Sequence, residues 1–125
     1  MIFLDENIFA DQRELLQKRR ISLRQIGVDL EKKGLGDDQI ISLLHRVARP
    51  TLFTRDSDYF GHNLCHDGYC LVWLKVKPLQ VASFAWRSLR HPRFRSWNSR
   101  LGKVIRVSPK GITVLEKNKR QSLAW

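Results

Sequence analysis

The run GYCLVWLKV, residues 68–76, is apolar at nearly every position. A strand with one wet face alternates apolar and polar residues; a run without alternation expects cover on both faces. That cover comes from helices, and the rest of the chain supplies them in turn. Ile2–Leu4 and TLFT (51–54) read as short apolar strands, and ISLRQIG (21–27) as another that closes on Gly27. Between them, residues 10–20 place Ala10, Leu15 and Leu16 at helical spacing among charges. EKKGLG (31–36) is a loop, and from Asp37 the run DDQIISLLHRVAR puts Ile40, Ile41, Leu43, Leu44 and Val47 on one helix face until Pro50 stops it. After Pro78, LQVASFAWRSLR reads as a further helix, and GKVIRVSPKGITVLEK as a hairpin about a Pro-Lys-Gly turn. Strand–helix alternation of this kind predicts a three-layer α/β/α domain with a mainly parallel central sheet and a C-terminal β-hairpin. With 125 residues and no internal repeat, one domain spanning 1–125 is expected.

Ligands of such sheets bind outside the carboxyl ends of the strands. Asp5 follows the first strand, Asp56 and Asp58 follow TLFT, and Asp37 and Asp38 open the helix before it. All of them are therefore expected at one edge. If residues 54–58 stay extended, Thr54, Asp56 and Asp58 also share one side of the chain. Converging carboxylates repel unless a cation neutralises them. Oxygen ligands without His or Cys suit a hard divalent ion, Mg²⁺ or Mn²⁺. Such an ion, beside a surface able to grip a phosphate backbone, is the layout of a nuclease.

The order FLDEN, GDDQII, LFTRDSDYF resembles the PIN-like domain family related to VapC-type toxins, in which an LDEN start, an acidic helix start and a TRDxD strand end recur at about these distances. The resemblance covers nearly the whole chain and implies a Mg²⁺/Mn²⁺-dependent endoribonuclease. Its products would carry a 5′-phosphate and a 3′-hydroxyl. It also implies a cognate antitoxin protein and, commonly, a homodimer. Carried over, the catalytic and metal-holding acids are Asp5, Asp37, Asp56 and Asp58, with Asp38 as substitute or helper to Asp37. Glu6, Asn7 and Thr54 are expected to orient these acids from behind. Arg55 faces away from Asp56 on an extended strand and reads as structural. This chain departs from the family pattern in two places. Gly36 stands where a Ser commonly caps the helix, and Tyr59–Phe60 replaces a single Phe.

Charge is divided along the chain. Residues 1–67 carry 10 Lys/Arg and 11 Asp/Glu, whereas residues 68–125 carry 13 Lys/Arg and the single acid Glu116. A basic half of this kind expects a polyanion such as RNA. RSLRHPRFRSWNSR offers Arg87, Arg90, Arg93, Arg95 and Arg100 for RNA or for an acidic antitoxin, with Phe94 and Trp97 assigned to the core. Residues 118–125 read as a frayed basic tail, with Trp125 free to dock on a neighbouring subunit. His62, Cys65, His66 and Cys70 match no common zinc spacing, and Cys70 enters the buried strand. The apolar runs are too short to span a bilayer, and MIFLDENIF lacks a basic signal region, so the expected setting is cytoplasmic. The rival reading is a non-catalytic nucleic-acid- or antitoxin-binding module, for which four acids beside a phosphate-binding face would be a handicap.

Overall fold

In the computed structural model, residues 1–30 and 32–125 are described; Glu31, the first residue of the expected loop, lies outside them. The elements in chain order are β1 (Ile2–Leu4), α1 (Ala10–Lys18), β2 (Leu23–Gln25), α2 (Asp37–His45), β3 (Thr51–Thr54), β4 (Cys70–Leu74), α3 (Val81–Arg90), α4 (Trp97–Arg100), β5 (Val104–Ser108), β6 (Gly111–Glu116) and β7 (Lys119–Leu123). Single turns of 3-10 helix occur at Ser57–Tyr59, His62–Leu64 and Pro78–Gln80. The strands form one sheet in the order β2-β1-β3-β4-β5-β6-β7. Strands β2, β1, β3, β4 and β5 run parallel, and β6 and β7 add antiparallel at one edge.

Both faces of the sheet are covered, as GYCLVWLKV requires. On one face Cys70, Val72 and Leu74 pack with Leu16 of α1 and with Val81, Ala82, Phe84 and Ala85 of α3. On the other, Leu71 packs with Ile40, Leu43 and Leu44 of α2 and with Tyr59, Cys65 and Tyr69 of the β3–β4 connection. Neighbouring residues of one strand thus enter opposite cores, the period of two that a central strand imposes. The two helices of the first face are joined by a polar link: buried Gln12 of α1 accepts from the Ala82 amide at 2.9 Å, which satisfies an otherwise open donor in the first turn of α3.

Three expectations are corrected here. Residues 119–123 do not fray; as β7 they pair along β6 from Ile112↔Leu123 to Glu116↔Lys119. Trp125 docks on its own chain, its indole donating to the Ser108 carbonyl at 2.7 Å and its ring lying 5.7 Å from that of Phe84. Arg100 does not face a partner. The short helix α4, capped by Ser96, turns it inward, where it is buried and donates to the Thr51 hydroxyl at 3.1 Å and the Phe94 carbonyl at 2.8 Å. Phe94 is core, as expected. Both cysteines are buried and free, and His62 and His66 are exposed.

Candidate metal centre

The site is assembled at the carboxyl edge of β1 and β3. Asp5 continues β1 by one residue, its amide donating to the Phe53 carbonyl at 3.0 Å. The loop that carries Asp5, Glu6 and Asn7 is pinned from below by Gln25, the last residue of β2. Its buried side-chain amide donates to the carbonyls of Asp5 at 3.0 Å and Ile8 at 2.7 Å, and its oxygen accepts from Arg13 at 2.9 Å. Gln25 was not singled out in the sequence; a polar residue closing an apolar strand was the available signal.

Asp5 is 7% exposed. Its two oxygens accept from the Glu6 amide at 2.8 Å and the Thr54 hydroxyl at 2.7 Å. Burial pushes its carboxyl above the ordinary range, against these two hydrogen bonds, and the neighbouring charges of Asp56 and Glu6 add to the upward shift. The Thr54 hydroxyl in turn accepts from the Asp56 amide at 3.0 Å. A chain of donors therefore runs from Asp56 through Thr54 to Asp5 and fixes the ends of β1 and β3 against each other.

Asp56 and Asp58 meet, but not by extended alternation. The strand ends at Thr54, and Asp56 caps the 3-10 turn Ser57–Tyr59 by accepting from the Asp58 amide at 2.9 Å. The turn folds Asp58 back beside Asp56. Asp37, at the first position of α2, completes the group: one carboxylate oxygen from each of Asp37, Asp56 and Asp58 lies within 4.8 Å of the other two, and all three residues are exposed. Asp5 lies below this group as a buried neighbour, within reach of the Asp56 charge. Asp38 is not part of it; with Leu35, Gln39, Ser42 and Arg46 it lines a separate surface hollow along α2.

Gly36 offers no side chain to cap α2. Instead its own amide donates to the Gln39 side chain at 2.9 Å. Glu6 does not reach Asp5 with its carboxylate; it accepts from the Gly34 amide at 3.0 and 3.1 Å and so braces the loop leading to Asp37. Asn7 stands exposed in the same loop.

Beneath the acids lies Tyr59, 2% exposed, whose hydroxyl has no hydrogen-bond partner. Burial, then the proximity of Asp37, then the charges of Asp5 and Asp56 raise its pKa strongly, so the hydroxyl keeps its proton. A set of three oxygen donors with a buried, unpartnered hydroxyl facing them fits a hard divalent cation better than it fits a soft one. The three acids can hold a metal ion.

Cations line two surface grooves. One residue from Asp56, a groove is lined by Arg55, Trp73, Lys75, Lys77 and Gln80. Arg55 donates to the Val76 carbonyl at 3.0 Å, and the Trp73 indole donates to the Arg55 carbonyl at 3.2 Å. Arg55 is structural, as expected, yet it also brings a cation to the acid edge; Lys75 and Lys77 were missed because they follow a buried strand rather than lying in the arginine run. On the α1/α3 face, a second groove is lined by Arg19, Trp86, Arg87, Arg90, His91 and Trp125, with no acidic side chain among them. Its guanidiniums are held over aromatic rings: Arg19 and Arg90 at 4.9 and 5.2 Å from Trp86, and Arg87 at 4.3 Å from Trp125. Arg93, exposed, donates to Gln121 of β7 at 3.2 Å, and Arg95 is exposed. Comparison with protein-family models, with curated proteins and with solved structures finds no match to this chain. No helix among the described residues is long and apolar enough to cross a membrane.

Proposed function

We propose that this chain is a PIN-like, Mg²⁺- or Mn²⁺-dependent endoribonuclease, the toxin of a toxin–antitoxin pair. The observation that carries the reading is the meeting of Asp37, Asp56 and Asp58 within 4.8 Å at the carboxyl edge of a parallel sheet. In this reading those three residues hold the ion, and Asp5, locked by Thr54 and the Glu6 amide, sets the position of Asp56 from below. When bound, the ion supplies Lewis-acid polarisation of the phosphodiester and hydrolytic power at neutral pH. Arg55, Lys75 and Lys77 would bind the RNA backbone beside the acids that would hold the ion. The groove of Arg87 and Arg90 on the helical face, with Arg93 and Arg95 nearby, is the second cationic surface, open to more distant RNA or to the acidic segment of an antitoxin.

The test is cleavage of a mixed RNA pool by pure protein with Mg²⁺, with Mn²⁺ and with EDTA, beside Asp56→Asn. Cutting that needs metal and disappears in the variant supports the reading. A folded protein that binds RNA without cutting it, or a variant that cuts equally well, replaces it with a binding module on the same fold.

A further inference from the structure

Buried phenol hydroxyls nearly always find a partner, and leaving one unpaired destabilises the folded chain. Tyr59 breaks that rule: its ring is packed into the α2-side core, yet its hydroxyl is unpaired. A phenylalanine would fill the same core space without the orphan donor. Acids from separate elements surround it: Asp58 precedes Tyr59 in a turn capped by Asp56, and the helix its ring packs against, α2, begins at Asp37. Each is an acceptor, and the hydroxyl is an unpaired donor. We propose that Tyr59 is a positioning residue of the metal centre, its hydroxyl donating to the Asp37 carboxylate when a divalent cation draws Asp37, Asp56 and Asp58 together. A carboxylate has two oxygens. With one held by Tyr59 from the core side, the other is aimed outward at the ion, so an exposed side chain at a helix start acquires a fixed orientation.

This inference rests on the metal-centre reading, and the experiment separates the two. Mg²⁺ binding is measured by calorimetry, without RNA, for the wild type, Tyr59→Phe and Asp56→Asn, and the metal-free thermal midpoints are recorded for each. The chain has two tyrosines. Labelling their Cζ carbons for NMR therefore gives two signals, and Tyr69, whose hydroxyl donates to the Leu64 carbonyl at 2.7 Å, serves as the internal control.

Three results are expected. Metal-free Tyr59→Phe melts at or above the wild-type midpoint, because it removes an unpaired donor. Its Mg²⁺ affinity falls about tenfold, the effect of losing one hydrogen bond to a charged group. The Tyr59 signal moves on Mg²⁺ addition while that of Tyr69 stays. A lowered metal-free midpoint in Tyr59→Phe, or an unchanged Mg²⁺ affinity, would overturn the role of Tyr59 and leave the metal centre standing. If the wild type does not bind Mg²⁺, or Asp56→Asn binds it equally, the metal centre falls and the role of Tyr59 falls with it.

Discussion

The Thr54 hydroxyl accepts from the amide of Asp56 and donates to the carboxylate of Asp5, so one small side chain, fully buried, couples two strand ends. Thr54→Val keeps the shape and removes both bonds. It leaves a buried carboxylate oxygen and a partly buried amide unpaired, and the expected loss is about 1–3 kcal/mol in urea unfolding. Thr54→Ser should recover most of it; a valine variant as stable as the wild type would show that the donor chain has no energetic weight. The thiols give a second test at this scale. Burial pushes Cys70 up to about 12, and Cys65, also raised by burial, donates to the Leu115 carbonyl at 3.5 Å. An acid whose pKa is raised stays protonated further up the pH scale, so neither thiol should react with Ellman's reagent at pH 8 until the chain unfolds. Fast labelling of the native protein would refute this. Individual residues differed in how far the sequence revealed them. Asp5, Asp37 and Asp56 each begin or end an element, so topology alone brought them to one edge. Arg100 sits in a run of arginines and was indistinguishable from its neighbours, because its direction depends on one short helical turn that no periodicity announces.

Strand β7 has the composition of a surface segment, Lys-Arg-Gln-Ser-Leu, and four of its five residues are exposed. It is held by backbone pairing to β6 rather than by an apolar face, and its charges suit the open edge of a sheet, where they discourage pairing with a second chain. Hydrophobic pattern therefore could not reveal it, whereas it revealed β4 at once. Gly111 shows how closely this edge is built. Its φ is +153°, and a Cβ placed there would lie 2.9 Å from the Leu123 carbonyl oxygen, a backbone atom of the adjoining strand. Gly111→Ala should cost about 1–3 kcal/mol through backbone strain and loosen the β6–β7 pairing. Hydrogen exchange would read this as lost protection at residues 119–123; unchanged protection would mean that the edge absorbs the clash. The start of α2 predicts the opposite sign. A Cβ at Gly36 meets nothing closer than 3.8 Å, and the position is extended with no side-chain cap. Gly36→Ser should therefore stabilise α2 by a few tenths of a kcal/mol, about what a serine gains over glycine at this position. A thermal midpoint below that of the wild type would count against the geometry of this helix start, on which the placement of Asp37 depends.

Across the whole molecule, the division of charge has a spatial meaning. Four acids of residues 1–67, Asp5, Asp37, Asp56 and Asp58, gather at the carboxyl edge, while Lys75 and Lys77 of the basic half reach the same edge through β4 and flank them with Arg55. If the proposed function holds, RNA in that groove without a divalent ion meets cations and uncompensated carboxylates together. With the ion, repulsion becomes attraction, so Mg²⁺ should tighten binding of a non-cleavable single-stranded RNA. Asp56→Asn should bind the same RNA more tightly than the wild type in EDTA, having one negative charge fewer, and should respond less to Mg²⁺. The cationic contribution is separable by salt. For single strands, the logarithm of the binding constant falls with the logarithm of salt by about 0.7 for each phosphate neutralised. Replacing Lys75 and Lys77 together by alanine should flatten that slope by about 1.4 if each meets one phosphate. Arg93→Ala, at a residue that lines neither groove and lies far in sequence from the acid edge, should leave it closer to wild type. A nuclease on this plan gives all three responses, because its acids and its cations serve one ligand. A module that binds RNA on the helical face gives a different pattern: its slope would change with Arg87 and Arg90 and stay indifferent to Mg²⁺, Asp56, Lys75 and Lys77. Affinity titrations of these variants at three salt concentrations would therefore tell the two apart even before any cleavage is measured.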